Sequence, residues 1–217
     1  MIANVKTIFF DFDGTIHDSI YVYKPAFQKA YDYLVENNLA KEKIWTNNEI
    51  AKWLGYNSKD MWKAFMPDLD ENITKIASKI IGSEMENQIR NNSGTLYSGT
   101  IEVLQYLNDK GYILVFLSNC GTYFKNLVTD HYKLDKYFQN IICSQDYNFI
   151  PKYEILKNIK HNYPKEMVII GDRIHDIEAG IKNSILTIGC SYGYGSKKEI
   201  NKSNYIVNSI KELMNFL

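Results

Sequence analysis

The chain has 217 residues, of which 45% are hydrophobic, so it can fill a substantial core and a disordered chain is excluded. Lysines and arginines together number 25, as do aspartates and glutamates, so the formal net charge is zero and gives no reason to expect nucleic acid or a membrane surface as a partner. Because the sequence has neither a leader-peptide pattern nor an apolar stretch of about 18 residues, we expect a soluble, cytoplasmic protein.

The first predicted element is a short apolar strand that runs directly into two carboxylates. Residues 8–10 are Ile, Phe and Phe, a pattern typical of a strand buried on both faces of a parallel sheet. Asp11 would stand at the carboxyl end of this strand, where open α/β sheets bind ligands. Asp13 would point to the same side in an extended segment, and Gly14 allows a sharp turn. Two such carboxylates favour a divalent cation or a shared proton.

Between residues 20 and 92 the pattern is helical, and no strand is predicted. Thr46 and Glu49 form a capping-box pattern, and Gly82 is expected to interrupt or bend the last helix of this segment. The predicted helices cover residues 21–37, 46–55, 58–66 and 70–92. Four helices can pack around a small core of their own, and we expect the three tryptophans of the chain to lie in it.

From residue 93 onward, strands and helices alternate. The predicted helices cover residues 100–110, 122–132 and 153–160. The predicted strands cover residues 112–117, 141–143, 167–170, 185–188 and 205–207. This alternation predicts an α/β fold with a Rossmann-like parallel sheet, helices on both faces and right-handed crossovers.

Polar residues follow two more of the predicted strands. Ser118 and Asn119 precede a helix whose first amide groups could bind phosphate, although an ordinary N-cap also explains this pair. Asp172 and Asp176 stand four residues apart after another strand, and Asp176 could instead cap a helix or pair with a neighbouring arginine. Lys152 could bind phosphate or neutralise neighbouring carboxylates, or it could be a surface lysine. Because the carboxyl ends of parallel strands share one edge, we expect these residues to converge.

In order, spacing and position, these segments resemble the four motifs of the haloacid-dehalogenase-like superfamily of phosphohydrolases. Residues 11–15 are similar to the first motif, 117–119 to the second, Lys152 to the third, and 171–176 to the fourth. The helical insertion directly after the first motif resembles the subgroup with a helical, C1-type cap. Residues 96–112 and 192–195 look like segments of its phosphoglycolate-phosphatase-like members. One departure is Pro-Lys-Tyr at residues 151–153, where family members often have Gly-Lys-Pro.

The resemblance implies an α/β core of residues 1–16 and 94–217 and a helical cap of residues 17–93. It also implies that Asp11 is a nucleophile that forms an aspartyl-phosphate, and that Asp13 is the acid and base. Dehalogenases of the superfamily lack this second aspartate, so its presence favours phosphoryl transfer. The other implied residues are the phosphate-binding Gly14, Ser118, Asn119 and Lys152, the Mg²⁺ ligands Asp11, Asp13 and Asp172, and the supporting Thr15 and Asp176.

We therefore expect a Mg²⁺-dependent phosphatase of a small phosphomonoester. Its partner would be a phosphorylated small molecule, and the protein would be a monomer or a homodimer. Two related enzymes remain open, namely a sugar phosphomutase of the β-phosphoglucomutase type and a phosphonate hydrolase, which needs an imine-forming lysine in the cap. A non-catalytic binding or regulatory module on the same fold is the alternative from another class.

The cap is expected to select the substrate. The loop between the second and third predicted helices is the candidate for contact with the phosphate site, through Tyr56 and Asn57. Lys59 and Lys63 could attract an anionic substrate, or they could lie on a solvated helix face. His175 is expected in an exposed loop. The three cysteines lack CxxC spacing and are expected to be reduced packing residues.

Overall fold

The computed structural model describes residue 2 and residues 4–217 of the chain. The strands are β1 (Thr7–Phe10), β2 (His17–Asp18), β3 (Thr95–Leu96), β4 (Ile113–Ser118), β5 (Asn140–Cys143), β6 (Met167–Gly171), β7 (Leu186–Cys190) and β8 (Tyr205–Val207). The α-helices are α1 (Ile20–Glu36), α2 (Asn47–Ala51), α3 (Ser58–Phe65), α4 (Glu71–Arg90), α5 (Thr100–Asp109), α6 (Thr122–Tyr132), α7 (Lys152–Ile159), α8 (Ile174–Asn183), α9 (Lys197–Ile200) and α10 (Leu213–Phe216).

Six strands form one parallel sheet in the order β5-β4-β1-β6-β7-β8. The central strand β1 is completely buried, and its last residue, Phe10, lies opposite Phe116 of β4 and Ile170 of β6. Since these three strands end at the same edge, Asp11, Asn119 and Asp172 follow them side by side. The predicted Rossmann-like sheet is therefore confirmed.

The two faces of the sheet bury separate apolar clusters, because successive residues of a strand point to opposite sides. Phe10 packs on one face with Leu104 of α5, whereas Phe9 packs on the other with Leu156 of α7 and Ala179 of α8. Each large apolar side chain buried in this way contributes about 1.5–3 kcal/mol relative to an exposed one.

Helices α1–α4 enclose a third apolar cluster, as the sequence predicted. Phe27, Trp45 and Phe65 meet edge to face, with ring centroids 5.2–5.6 Å apart. Trp62 is buried in the same cluster and Trp53 packs against it, so the tryptophans occupy the core of the insertion.

Among the described residues, no helix combines the length and apolar character needed to cross a membrane.

Some predicted boundaries differ from the structure. The helix that begins with the Thr46 capping box ends at Ala51, and turns continue to Gly55. Helix α4 passes without interruption through Gly82, where the sequence predicted an interruption or bend. A glycine lowers helix propensity by only about 1 kcal/mol relative to alanine, which packing of a long helix easily offsets. Within residues 20–92 the structure has no strand, as predicted.

The two connections between the sheet and the helical insertion pair as a small antiparallel ribbon of β2 and β3. His17 in this ribbon is completely buried, stacked on Phe12 with ring centroids 4.8 Å apart. Its Nδ1 lies 2.7 Å from Ser19 Oγ and its Nε2 3.0 Å from the hydroxyl of Tyr132. Burial, and secondarily the charge of His131, lowers the pKa of His17 to about 3.

This buried histidine should make the free energy of unfolding depend on pH. The native state keeps His17 neutral down to about pH 3, whereas the unfolded chain binds a proton below its ordinary pKa of 6.5. Stability should therefore fall as the pH drops from 6.5 toward 3, by up to ~1.4 kcal/mol per pH unit from this residue. Urea unfolding at pH 7, 6 and 5 should show a shallower dependence for His17→Gln. The exposed His161→Gln control should keep the wild-type slope, and equal slopes in all three proteins would contradict the assignment.

Candidate active site

A buried lysine joins two of the predicted site carboxylates. Lys152, the first residue of α7, lies with its Nζ 2.7 Å from Asp11 Oδ1 and 2.5 Å from Asp176 Oδ1. All three side chains are at most 4% exposed. Burial lowers the pKa of Lys152, but the charges of both carboxylates outweigh this and hold its pKa above the ordinary value. The lysine is therefore charged and belongs to the site, which excludes the alternative of a surface lysine.

A second feature of the site is an unpartnered carboxylate oxygen on Asp172. Its Oδ2 accepts a 2.6 Å hydrogen bond from the backbone N–H of Tyr194, whereas its Oδ1 is buried and has no hydrogen-bond partner among the described residues. One carboxylate oxygen from each of Asp11, Asp172 and Asp176 lies within 4.8 Å of the others. Such a group of oxygen donors with a free buried oxygen fits a hard divalent cation such as Mg²⁺.

Of these carboxylates, Asp176 has both oxygens engaged. Oδ1 accepts from Lys152, and Oδ2 accepts a 3.0 Å bond from the backbone N–H of Arg173. The bond from Arg173 fixes Asp176 at the start of α8, and the bond from Lys152 lets Asp176 hold that lysine in position. Asp11 and Asp172 are consequently the carboxylates better suited to bind a metal ion.

Burial and the concentration of negative charge both shift the pKa values of the site. Burial, then the charge of Asp176, raises the pKa of Asp11 to about 7, although Lys152 opposes the shift. Burial and the charge of Asp11 likewise raise the pKa of Asp172. One lysine does not balance this cluster of acids, and a bound divalent cation would supply the missing positive charge.

Asp13 stands apart from this cluster and faces a cavity. Its Oδ1 accepts a hydrogen bond from the hydroxyl of Ser19, and burial raises the pKa of Asp13 above its usual range. A raised pKa favours the protonated form of a carboxyl group, which can donate its proton. Ser19 was not singled out in the sequence, where it reads as an ordinary residue before α1.

The turn after Asp13 is closely packed against Asp172. Gly14 has φ +79°, a conformation that residues with side chains rarely adopt, and a Cβ there would overlap the carboxylate of Asp172. The Oγ1 of Thr15 is buried without a partner, and its carbonyl accepts a 2.8 Å hydrogen bond from the hydroxyl of Tyr192. These contacts hold the first motif against the loop that follows β7.

Ser118 and Asn119 lie at the end of β4, beside the end of β1. Ser118 is buried, and its Oγ accepts a 3.4 Å bond from the N–H of Cys120. The side-chain amide of Asn119 donates to the carbonyl of Gly55 at 2.8 Å, so this side chain binds the insertion. Neither side chain caps α6, whose N-cap is Gly121. The alternative of an N-cap pair is therefore wrong.

The predicted cap loop reaches the site, but its two named residues behave differently. Tyr56 lines the cavity and its ring meets His175 edge to face at 4.9 Å. Asn57 is buried at the N-cap of α3, where its Oδ1 accepts from the N–H of Asp60 at 2.9 Å and its amide donates to the same residue. The polarity of Asn57 is thus explained by capping.

The structure shows how exposed three further candidate residues are. His175 lies in α8 and is only partly exposed, because Tyr56 covers it. Lys59 and Lys63 are exposed on α3 and do not line the cavity. The solvated helix face is therefore the correct reading of both lysines.

Arg173 is a contact that the sequence did not reveal. Its guanidinium donates to the backbone carbonyls of Leu54 and Lys52 in the insertion, the latter at 3.3 Å. Its Nε lies 3.5 Å from a carboxylate oxygen of Glu199. Only the position between two motif aspartates marked this arginine, because the carbonyls that it binds are more than a hundred residues away in sequence.

Tyr194 links the site to the connection that leads into α1. Its backbone binds Asp172, and its hydroxyl donates to Asp18 at 2.6 Å while accepting from the N–H of Ile20 at 3.0 Å. The sequence had singled out residues 192–195 as a loop of interest without assigning this contact.

A cavity of about 280 Å³ separates the insertion from the sheet edge. Asp13, Asn119 and Cys120 border it from the sheet side, and Tyr56 and Met61 border it from the insertion. A molecule in this cavity would have one end at Asp13. The geometry therefore suits proton transfer between Asp13 and a group at that end of the molecule.

The sequence model of the haloacid dehalogenase-like hydrolases matches residues 8–190, which include all four motif segments. The chain belongs to this family. The resemblance of the four segments is thereby confirmed, and so is the expectation of an enzyme.

Individual relatives of this family support the same conclusion. The chain is 26% identical to the phosphoglycolate phosphatase of Haemophilus influenzae, with 100% of both chains covered. It is 25% identical to pyrophosphatase PpaX of Oceanobacillus iheyensis, over 97% of this chain and 96% of the relative. The crystal structure of a predicted phosphatase from Clostridium acetobutylicum has a TM-score of 0.83 and 26% identity, over 98% of this chain and 97% of that one. The chain is thus similar to phosphatases over its whole length.

Removing the charge of Lys152 should destabilise the protein strongly. Lys152→Met would leave buried carboxylates without their cation, and a broken buried ion pair costs about 3–5 kcal/mol. Urea unfolding at pH 8 measures this loss. Lys157→Met on the exposed face of the same helix should cost less than about 0.5 kcal/mol. If the two lysine variants are equally stable, the ion pairs of Lys152 do not carry the predicted role.

Proposed function

We propose that this protein is a Mg²⁺-dependent phosphatase that hydrolyses a small phosphomonoester through an aspartyl-phosphate on Asp11. The observation that carries the proposal is the pairing of a lysine-held Asp11 with an Asp13 that faces the cavity. One carboxylate stands among cationic and metal-binding groups, and the other stands where a leaving group would be. Nucleophilic attack and proton donation are therefore assigned to different carboxylates.

In the first step, a carboxylate oxygen of Asp11 attacks phosphorus, and the bond between phosphorus and the ester oxygen breaks. Asp13 gives its proton to that oxygen, so the alcohol leaves neutral. In the second step, Asp13 takes a proton from water, whose oxygen attacks phosphorus and releases Asp11 and inorganic phosphate. Lysine at position 152 keeps Asp11 oriented throughout, because its ammonium group is fixed between Asp11 and Asp176.

We propose that groups around Asp11 bind the phosphoryl oxygens of the substrate. These are the turn at Gly14, the hydroxyl of Ser118, the backbone N–H of Asn119 and the ammonium group of Lys152. Donors fixed in a dry site stabilise the charge of the transition state without having to reorient. Thr15 and Asp176 would not bind the phosphate but would hold these groups in position.

The residues that would hold Mg²⁺ are Asp11, Asp172 and, through its backbone carbonyl, Asp13. The unpartnered oxygen of Asp172 and the hard oxygen donors support this choice of ion. When bound, the ion would neutralise phosphate charge and reduce repulsion between the phosphate and Asp11.

The domain boundaries remain a proposal, with residues 17–93 as cap and residues 1–16 and 94–217 as core. The chain passes between core and cap twice, next to β2 and next to β3, so the ribbon of these two strands would serve as the hinge. Movement about it would admit substrate and then exclude water. A cytoplasmic location and a monomeric or dimeric state stay predictions from the sequence.

Two other reactions differ in what they require of the cavity. A phosphonate hydrolase needs a lysine there, and no lysine lines the cavity within the described part of the chain. A sugar phosphomutase would return the phosphoryl group to the sugar, so the products formed from a hexose 1-phosphate distinguish it from a phosphatase. We favour hydrolysis because the family relatives named above are phosphatases and a pyrophosphatase.

Loss of the nucleophile should abolish activity. Asp11→Asn should reduce Mg²⁺-dependent phosphate release from p-nitrophenyl phosphate at least ~1000-fold, because an amide cannot form the acyl-phosphate. The exposed Asp135→Asn should retain wild-type activity. Chelation should stop turnover, and Mg²⁺ should raise the unfolding temperature of the wild type more than that of Asp172→Asn. Full activity of the Asp11→Asn protein would refute the mechanism.

The effect of removing the proposed acid, Asp13, should depend on the leaving group of the substrate. For Asp13→Asn we expect kcat/KM with benzyl phosphate to fall ~10²–10⁴-fold, because benzyl alcohol must leave protonated. The loss with p-nitrophenyl phosphate should be at least tenfold smaller, since p-nitrophenolate leaves readily as an anion. Asp11→Asn provides the comparison, because it should affect both esters alike. Equal losses for both esters in Asp13→Asn would show that Asp13 is not the acid.

A further inference from the structure

The cavity beside Asp13 has a chemical character that bears on the substrate. Six aromatic side chains line it, namely Tyr23, Trp53, Tyr56, Tyr123, Phe124 and Phe149. Its polar side chains besides Asp13 are uncharged, and within the described part of the chain its lining includes no lysine, arginine or histidine. The volume of about 280 Å³ exceeds the ~150 Å³ of an apolar protein cavity that holds benzene.

The buried cations near the site already have partners elsewhere. Lys152 is held between two carboxylates, and Arg173 donates to backbone carbonyls of the insertion. Both lie outside this cavity. A second, smaller cavity of about 220 Å³ does include Lys152 and His175 in its lining, but it does not include Asp13. An alcohol protonated by Asp13 therefore leaves through the first, uncharged cavity.

We infer that the physiological substrate carries an uncharged leaving group with a ring or similar apolar body, and that the enzyme discriminates against leaving groups with a second anion. This inference rests on the proposed function and specifies its substrate class. A carboxylate or second phosphate in the cavity would lose its hydration without meeting a cation, and it would lie near Asp13. Aromatic walls instead favour a planar apolar group. Phosphoglycolate and pyrophosphate, the compounds in the names of two relatives, both present a second anionic group.

The test compares esters that differ in charge at nearly constant size. They are benzyl phosphate, 4-carboxybenzyl phosphate and its analogue in which the carboxyl group is a methyl ester. Phosphoglycolate and inorganic pyrophosphate complete the series. We expect kcat/KM for the methyl ester to exceed that for the free acid at least tenfold, with phosphoglycolate and pyrophosphate also at least tenfold below benzyl phosphate. Equal or higher values for the anionic compounds would overturn the inference and leave the phosphatase proposal intact.

A charge introduced into the cavity should change this preference. Ser78 of α4 lines the cavity and lies 2.8 Å from Ser58 through their hydroxyl groups. Ser78→Lys should narrow the ratio between methyl ester and free acid at least fivefold. Ser83→Lys adds the same charge to the exposed side of the same helix and should leave the ratio unchanged. Identical ratios in both variants would count against the cavity as the leaving-group site.

Binding to the inactive Asp11→Asn protein separates this inference from the proposed reaction. In the presence of Mg²⁺, calorimetry should give at least tenfold tighter binding for benzylphosphonate than for 4-carboxybenzylphosphonate. Because no turnover is needed, the preference is measured even if the wild type releases no phosphate from any ester, an outcome that would refute the proposed function alone. Tighter binding of the carboxylate compound would refute the charge preference alone.

Discussion

The ammonium group of Lys152, buried between Asp11 and Asp176, is the interaction on which the rest of the site depends. Each of the three residues comes from a different element: the end of β1, the start of α7 and the first turn of α8. In a low-dielectric interior, none of these charges would be tolerated alone. The ion pairs thus fix how two helices meet the central strand, and they also orient the nucleophile. Burial raises the pKa of Asp11 and of Asp172, and the excess of carboxylates that remains in the cluster raises both further.

The chemistry of the strand edge could be predicted because it follows from local pattern and topology. An apolar run ending in Asp11 predicts a buried strand, and alternating strands and helices predict a parallel sheet whose carboxyl ends meet. Asp172 was found in the same way, as a polar residue after a strand, whereas Lys152 was singled out by the resemblance to the third motif of the family. The resemblance to the family supplied their roles, and its third-motif departure, Pro151 in place of glycine, did not prevent Lys152 from reaching Asp11.

The contacts between the insertion and the sheet edge could not be predicted in the same way. The partner of Asn119 is the carbonyl of Gly55, and the partners of Arg173 lie in the same short segment. Carbonyl groups leave no trace in a sequence, since every residue has one. Asn57 shows a related ambiguity: a polar residue before a helix can cap it or face a ligand, and Asn57 caps α3 while also lining the smaller cavity that includes Lys152. His175 was expected to be exposed because the ring that covers it, that of Tyr56, comes from the distant insertion.

The use of backbone carbonyls has a consequence for how substrate preference can change within such a fold. Asn119 and Arg173 bind main-chain carbonyls of the loop that ends at Gly55, so these hydrogen bonds do not depend on its side chains, although Gly55 itself is required because its φ is +84° and a Cβ there would overlap Arg173. Trp53 and Tyr56 take no part in these hydrogen bonds and line the cavity, where they meet the leaving group in our proposal. The hydrogen bonds of the loop and the chemistry of its cavity face thus depend on different atoms. A substitution that alters the cavity can leave the loop docked over Asp11, which allows the leaving group to change while phosphoryl transfer is retained.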